Sequence, residues 1–288
     1  MANVLLMHGG VGIEESLVDA ANIKLNSYAS SLELKGNPLD SAIAAVKIME
    51  DDQDFNAGTG SVMRIDGSIQ MDASVAIPGD FGSVLAIESV RNPVLVARDV
   101  MELTPHKMLA GDGAVKFARL LGYKEYNPVT DRSRSRLRAA LENLKTPGND
   151  SYAKYSKLMG KTDFNDFMRD SCDTVGAVAR IDGKFAAAVS TGGASPMLRG
   201  RIGDSPIFGA GIYVGDRGAV VATGIGEEIS KRLLCFRIHE KIGTEPLHDI
   251  MKEEISFFKN VIAGVIAVSS DEYGYFANKG MGTGLKLK

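Results

Sequence analysis

The stretch from Asp173 to Asp204 constrains the fold of this 288-residue chain more than any other part. Val175 to Ala179 is a short, apolar, β-prone run, and Phe185 to Ser190 is a second. Asp182-Gly183 between them is a hairpin signal, because both central positions of a type I′ turn need positive φ. Folded back at that turn, the strands bring Thr174, at the mouth of the first, close to Thr191, near the end of the second. Gly192-Gly193 follows, and then Arg201 and Asp204. By residue type these two fit either a structural ion pair or a clamp for the carboxylate and ammonium of an amino acid.

The polar run from Lys145 to Asp173 ends on the Asp173–Thr174 bond. A threonine hydroxyl is a weak nucleophile that needs an adjacent base, and an N-terminal threonine carries one in its own α-amino group. That group titrates near ~7.7–8.0, so it accepts a proton at neutral pH. Cleavage at Asp173–Thr174 therefore creates nucleophile and base together. The plain alternative is a strand threonine that follows a loop.

Thr174-Val175-Gly176-Ala177-Val178, Ser190-Thr191-Gly192-Gly193 and Gly200-Arg201-Ile202-Gly203-Asp204-Ser205-Pro206, with Gly209-Ala210-Gly211 after them, resemble one family. It is the plant-type (type 2) asparaginase and isoaspartyl peptidase family of N-terminal-nucleophile hydrolases. His8-Gly9-Gly10-Val11-Gly12, Phe55-Asn56-Ala57-Gly58 with Met71-Asp72-Ala73-Ser74, Arg91-Asn92-Pro93-Val94 and Thr223-Gly224-Ile225-Gly226-Glu227 match in the family's order, over about residues 4–228.

The resemblance implies an α+β fold, a four-layer αββα sandwich of two antiparallel sheets flanked by helices. It implies a single domain over 1–288, self-cleaved at Asp173–Thr174 into 1–173, with a mobile linker over about 145–173, and 174–288. It further implies hydrolysis of asparagine or β-aspartyl dipeptides through a β-aspartyl ester on Thr174. Thr191 and Asn56 would orient the nucleophile, and Thr223 and Gly224 would form the oxyanion hole. Arg201 and Asp204 would hold the substrate's carboxylate and ammonium, with Ile202, Gly203, Thr223, Gly224, Ile225 and Gly226 around them.

No cofactor is required by that chemistry. In the family, main-chain carbonyls of the loop matching Glu50, Asp51, Asp52, Asp54 and Phe55 hold a structural sodium ion. As side chains, the acidic residues here read as a solvated loop. Two precursors pair in the family, giving an (αβ)2 assembly and the expectation of a homodimer.

Ser190-Thr191-Gly192-Gly193 departs from the Ser-Thr-Asn-Gly of glycosylasparaginases, and Gly203-Asp204-Ser205-Pro206 is absent from threonine aspartases. Asp173 before the nucleophile, Ile77-Pro78-Gly79-Asp80 and Asn278-Lys279-Gly280-Met281 differ from common family patterns near the pocket. Substrate preference is therefore the least constrained property. A glycosylasparaginase-like hydrolase and an unprocessed binding or assembly protein on the same fold are the alternatives, the second marked by an uncut chain.

The rest of the chain fits a globular enzyme. Hydrophobic residues make up 44% and charged residues 24%, and the net charge of −3 gives no attraction to nucleic acid or anionic membranes. No run approaches the ~18–20 apolar residues of a membrane span. Two cysteines, Cys172 and Cys235, make no disulfide framework, which points to the cytoplasm.

Val4 to Met7 reads as a buried strand. Glu14 to Leu34, Asp40 to Glu50, a segment from Asn92-Pro93 to about Met101 with Asn92 as N-cap, Lys107 to Leu121, and Glu227 to Lys241 read as helices. Hairpins are expected at Val62–Val75 around Asp66-Gly67, at Gly211–Ala222 around Gly215–Gly218, and at Ala263–Ala277 around Asp271–Gly274. Arg132, Arg134, Arg136 and Arg138 alternate with Ser and Leu and read as a solvated helix face.

Overall fold

The structure, a computed structural model, describes residues 2–34, 36–143, 174–195 and 197–288. The expected linker, with Cys172 and Asp173, lies outside the described residues.

The apolar, β-rich runs pair into two sheets. The larger has the order β11 (Gly280–Leu287), β1 (Val4–Ile13), β5 (Val175–Ile181), β6 (Lys184–Thr191), β2 (Met71–Ile77), β3 (Asp80–Ile87) and β4 (Met108–Ala110). The smaller has the order β10 (Tyr273–Ala277), β9 (Ala263–Ser269), β8 (Gly218–Gly224) and β7 (Ile212–Gly215). Residues that alternate along β1, β5, β6, β8 and β9 meet between the sheets, where Val4, Leu6, Val178, Val189, Val221 and Ile266 are buried together.

The outer face of the larger sheet carries α1 (Val18–Ser31), α2 (Pro38–Glu50), α3 (Pro93–Leu103) and α4 (Gly111–Leu120). Around the smaller sheet lie α6 (Gly226–Arg232), α7 (Leu234–Lys241) and α8 (Leu247–Ser256). Helix α5 (Asp131–Asn143) carries the basic stretch. The result is the helix–sheet–sheet–helix sandwich expected of an N-terminal-nucleophile hydrolase. No helix among the described residues is long and apolar enough to cross a membrane.

Several local expectations are corrected. Val62–Ile65 forms no strand. This segment wraps as an irregular loop around the fully buried side chain of Arg64, and β2 pairs instead with β3 across Pro78-Gly79. Strand β4 joins β3 in parallel, since the chain between them crosses over through α3. Asn92 does not cap α3: Glu50 Oε1 accepts from Val94 N–H at 3.0 Å, while Asn92 donates to Asp51. The first helix starts at Val18 after a 3₁₀ turn at Glu15–Leu17. The segment from Glu227 to Lys241 is broken by Leu233 in a left-handed conformation at φ 50°. The C-terminal strand β11 crosses to the other sheet and closes the edge beside β1.

Ile266 sits between the sheets with no exposed surface. Ile266→Ala is expected to lower stability by about 2–5 kcal/mol, seen as a lower denaturant midpoint with an unchanged slope.

Candidate active site

Strands β5 and β6 pair antiparallel with Val175 opposite Ser190, which sets Thr174 and Thr191 just beyond the last paired residues. Thr174 Oγ1 lies 3.2 Å from Thr191 Oγ1, and both residues are buried. Thr191 Oγ1 also accepts from Gly193 N–H at 2.9 Å, so its own position is fixed by the turn that follows β6. Asn56 holds that turn from the other side. Its Nδ2 donates to Gly193 O at 2.5 Å, its Oδ1 accepts from Val62 N–H, and its carbonyl accepts from Gly192 N–H. Asn56 makes no hydrogen bond to Thr174; it reaches the hydroxyl pair only through the Gly192-Gly193 turn.

Strand β8 faces β5 from the second sheet and ends in Thr223-Gly224. Gly224 lines the same pocket as Thr174, Thr191, Gly193, Arg201, Gly203 and Asp204. Thr223 Oγ1 is fully buried and has no hydrogen-bond partner among the described residues. The pocket encloses about 10 Å³, close to the lower limit for one water molecule. Ile202 and Ile225 are half-buried and do not line it.

Arg201 and Asp204 do not form the ion pair that was one of their two readings. The guanidinium binds Glu227 bidentately, Nε to Oε1 at 2.8 Å and Nη2 to Oε2 at 2.7 Å. Asp204 is buried, with Oδ2 lacking a partner among the described residues. Burial pushes its carboxyl up to about 7, against the pull of its own main-chain N–H and of the Arg201 charge. The two groups face each other across Gly226. A Cβ placed there would stand 2.8 Å from Asp204 Oδ1 and 3.0 Å from Arg201 Nη2, so only glycine leaves the gap open.

His8 accepts from Gly10 N–H through Nδ1 at 3.2 Å, which places its ring proton on Nε2. The ring faces the Thr174 main chain, and Nε2 has no hydrogen-bond partner among the described residues. Burial pushes the imidazole down to about 3, so it stays neutral and is no acid–base group at physiological pH.

The acidic loop is not a free, solvated cluster. Asp51 is tied to Lys47, Arg91 and Asn92, Asp52 to Lys24 and Tyr28, and Asp54 to Lys24. Burial pushes Glu50 up to about 8.

A family model described as Asparaginase matches residues 3–282. The chain belongs to the asparaginase family. It is 43% identical over 240 residues to a plant-type L-asparaginase of Pyrococcus furiosus, covering 80% of this chain and 76% of that protein. It is 36% identical over 284 residues to an isoaspartyl peptidase/L-asparaginase of Danio rerio, covering 91% and 86%. Against the Homo sapiens protein of the same description the figure is 35% over 290 residues, covering 93% and 87%. As a member of this family the chain is a hydrolase.

Three residues of this asparaginase-family site escaped the reading of the sequence. Arg64, fully buried, donates through Nη1 to Gly192 O at 3.2 Å and through Nη2 to Gln70 O at 3.0 Å and Arg201 O at 3.4 Å. It ties the turn after Thr191 to the loop that carries Arg201. Asp72, opposite Thr191 in the β2–β6 ladder, accepts from Ala86 N–H at 2.7 Å and faces Gly203 N–H at 3.5 Å. Glu227 is the third. All three stand in segments with ordinary turn or strand signals; the family motifs Met71-Asp72-Ala73-Ser74 and Thr223-Gly224-Ile225-Gly226-Glu227 are the signals that point to Asp72 and Glu227.

Between the ordinary carboxylate range and about 7, folded Asp204 holds its proton more tightly than the unfolded chain does. Its ionisation therefore lowers stability as pH rises through that window. Asp204→Asn is expected to gain on the parent protein by on the order of 4 kcal/mol between pH 4 and pH 8. Unfolding midpoints of the two proteins across that range check it; a difference that is constant with pH contradicts it.

Proposed function

We propose that the chain is an autoprocessing threonine amidohydrolase acting on L-asparagine and on β-aspartyl dipeptides. The observation that carries this reading is the buried Thr174–Thr191 hydroxyl pair, set at the head of β5 beside a guanidinium and a carboxylate that share one gap. The names of the relatives, L-asparaginase and isoaspartyl peptidase, support the same pair of substrates.

In the precursor, Thr174 Oγ attacks the Asp173 carbonyl, the peptide nitrogen leaves with a proton, and water hydrolyses the resulting ester. The products are a C-terminal Asp173 carboxylate and a free Thr174 α-amine. That amine then takes the Oγ proton as Oγ attacks the substrate's β-carbonyl, while Thr191 holds the oxygen in line. The Thr223 hydroxyl and the Gly224 N–H donate to the developing oxyanion.

The proton passes to the departing ammonia or amine, leaving a β-aspartyl ester on Thr174, which water cleaves to aspartate. Asparagine and a β-aspartyl dipeptide present the same acyl group and differ only in the leaving amine. Arg201 suits the α-carboxylate, since a planar guanidinium matches it bidentately. Asp204, raised to about 7 when empty, is restored to its charged form by the substrate's ammonium. Main-chain oxygens of 50–55 would hold a structural sodium ion, and two cleaved protomers would assemble as a dimer, both on the family resemblance.

Purified protein is expected to split into residues 1–173 and 174–288, about 18 and 12 kDa by their share of the 30.7 kDa chain. The smaller fragment begins at Thr174, and Thr174→Ala stays whole. Intact mass and N-terminal sequencing check this. A chain that remains uncut, and releases no aspartate from either substrate, contradicts the reading.

A further inference from the structure

Arg201 lines the pocket and already holds a carboxylate, and the way it does so has a direction. A guanidinium offers two bidentate edges, a side edge of Nε and Nη2 and an end edge of Nη1 and Nη2. Glu227 takes the side edge, at 2.8 and 2.7 Å. The end edge is left. Nη1 makes no hydrogen bond among the described residues, and it lies 2.7 Å from where a Cβ on the pocket-lining Gly203 would stand. Nη2 borders the gap at Gly226 that Asp204 Oδ1 borders from the other side. Glu227 thus grips Arg201 from outside the pocket, with its own carboxylate more than half exposed while the guanidinium is mostly covered.

Resting on the functional reading above, we infer that Glu227 is a positioning residue for substrate recognition. By pinning the side edge of Arg201 it aims the end edge at the α-carboxylate, and so makes the site selective for substrates whose α-carboxylate is free. It also joins the loop of Arg201, between the two sheets in sequence, to the helix that starts just after β8, the strand that ends in Thr223 and Gly224.

Two effects of Glu227 oppose each other. Its charge repels a second carboxylate on the same guanidinium, while its grip removes the freedom of a long side chain before substrate arrives. The repulsion runs between carboxylates on different edges of one cation, in a site open to water on Glu227's side, and is screened. Ordering an unrestrained arginine on each binding event costs more than that. The grip therefore wins, and losing it weakens binding.

The test compares parent, E227A and E227Q, each confirmed as cleaved at Asp173–Thr174, on L-asparagine and on its α-carboxamide analogue, asparaginamide. E227Q keeps the length and one acceptor, so it guards against a variant that fails to fold. The expected result for E227A is a KM for asparagine raised by about tenfold or more with kcat changed by less than about threefold, and a smaller rise for E227Q. KM for asparaginamide stays near the parent value, so discrimination between the two substrates collapses. A merely structural ion pair would lower the melting temperature and leave that discrimination intact.

An active parent whose E227A and E227Q keep, or lower, the KM for asparagine overturns the inference alone. A parent that cleaves itself but hydrolyses neither asparagine nor β-aspartyl dipeptides overturns the functional reading, and the inference falls with it.

Discussion

The register between β5 and β6 is the constraint on which the rest of the structure depends. Seven antiparallel pairs, from Val175 with Ser190 to Ile181 with Lys184, bring Thr174 and Thr191 to the same end of a ladder buried on both faces. Side chains alternate across a strand, so a slip of one residue would exchange the set packed under the helices with the set packed between the sheets, and part the hydroxyls. Neighbours on each side hold that register. β1 pairs with β5, β2 pairs with β6, and β8 packs against β5 from the second sheet. The chemistry proposed for Thr174 is thus set by the core of the protein rather than by a surface loop.

Around that ladder the protein buries an unusual concentration of charge. Arg64, Asp72, Asp204 and Glu50 are all shielded from water, and Arg201 is mostly so. Such burial is costly unless each group is compensated. Arg64 is matched by three carbonyl oxygens and the nearby Asp72, and Glu50 caps α3. Compensation is incomplete at Arg64 Nε, Glu50 Oε2 and Asp204 Oδ2, which lack hydrogen-bond partners among the described residues, and of these three residues only Asp204 lines the pocket. It retains an unpartnered oxygen and a carboxyl near neutrality. In the proposed function the missing positive charge is the one that the substrate's ammonium supplies.

Local signals in the sequence carried the fold where a turn and two alternating strands lie side by side. The hairpins β5–β6, β7–β8 and β9–β10 were legible for that reason, as was the pairing of the two threonines. Legibility failed where a distant contact decides. Arg64 and Arg180 share the same Arg-Ile-Asp-Gly context, which reads as a hairpin, yet around Arg64 the carbonyls of Gly192 and Arg201 pull the chain into a loop. Asn92 looks like a helix cap, and a carboxylate from α2 displaces it. The glycines of β11 argue against a strand; they are there because α1 lies so close that a Cβ on Gly284 would meet Leu25 O at 2.4 Å. The partner of Arg201 was open between two readings, and a third residue, Glu227, took it.

The central claim is that Thr174 carries the acyl group of the substrate. Rapid acid quench of the cleaved protein during turnover of asparagine, followed by peptide mapping, tests it most directly. The account predicts that one added aspartyl unit is found on the peptide that begins with Thr174, and that hydroxylamine removes it. The same adduct appears when a β-aspartyl dipeptide replaces asparagine. Turnover with no covalent adduct, or with the adduct on any other residue, would contradict the account.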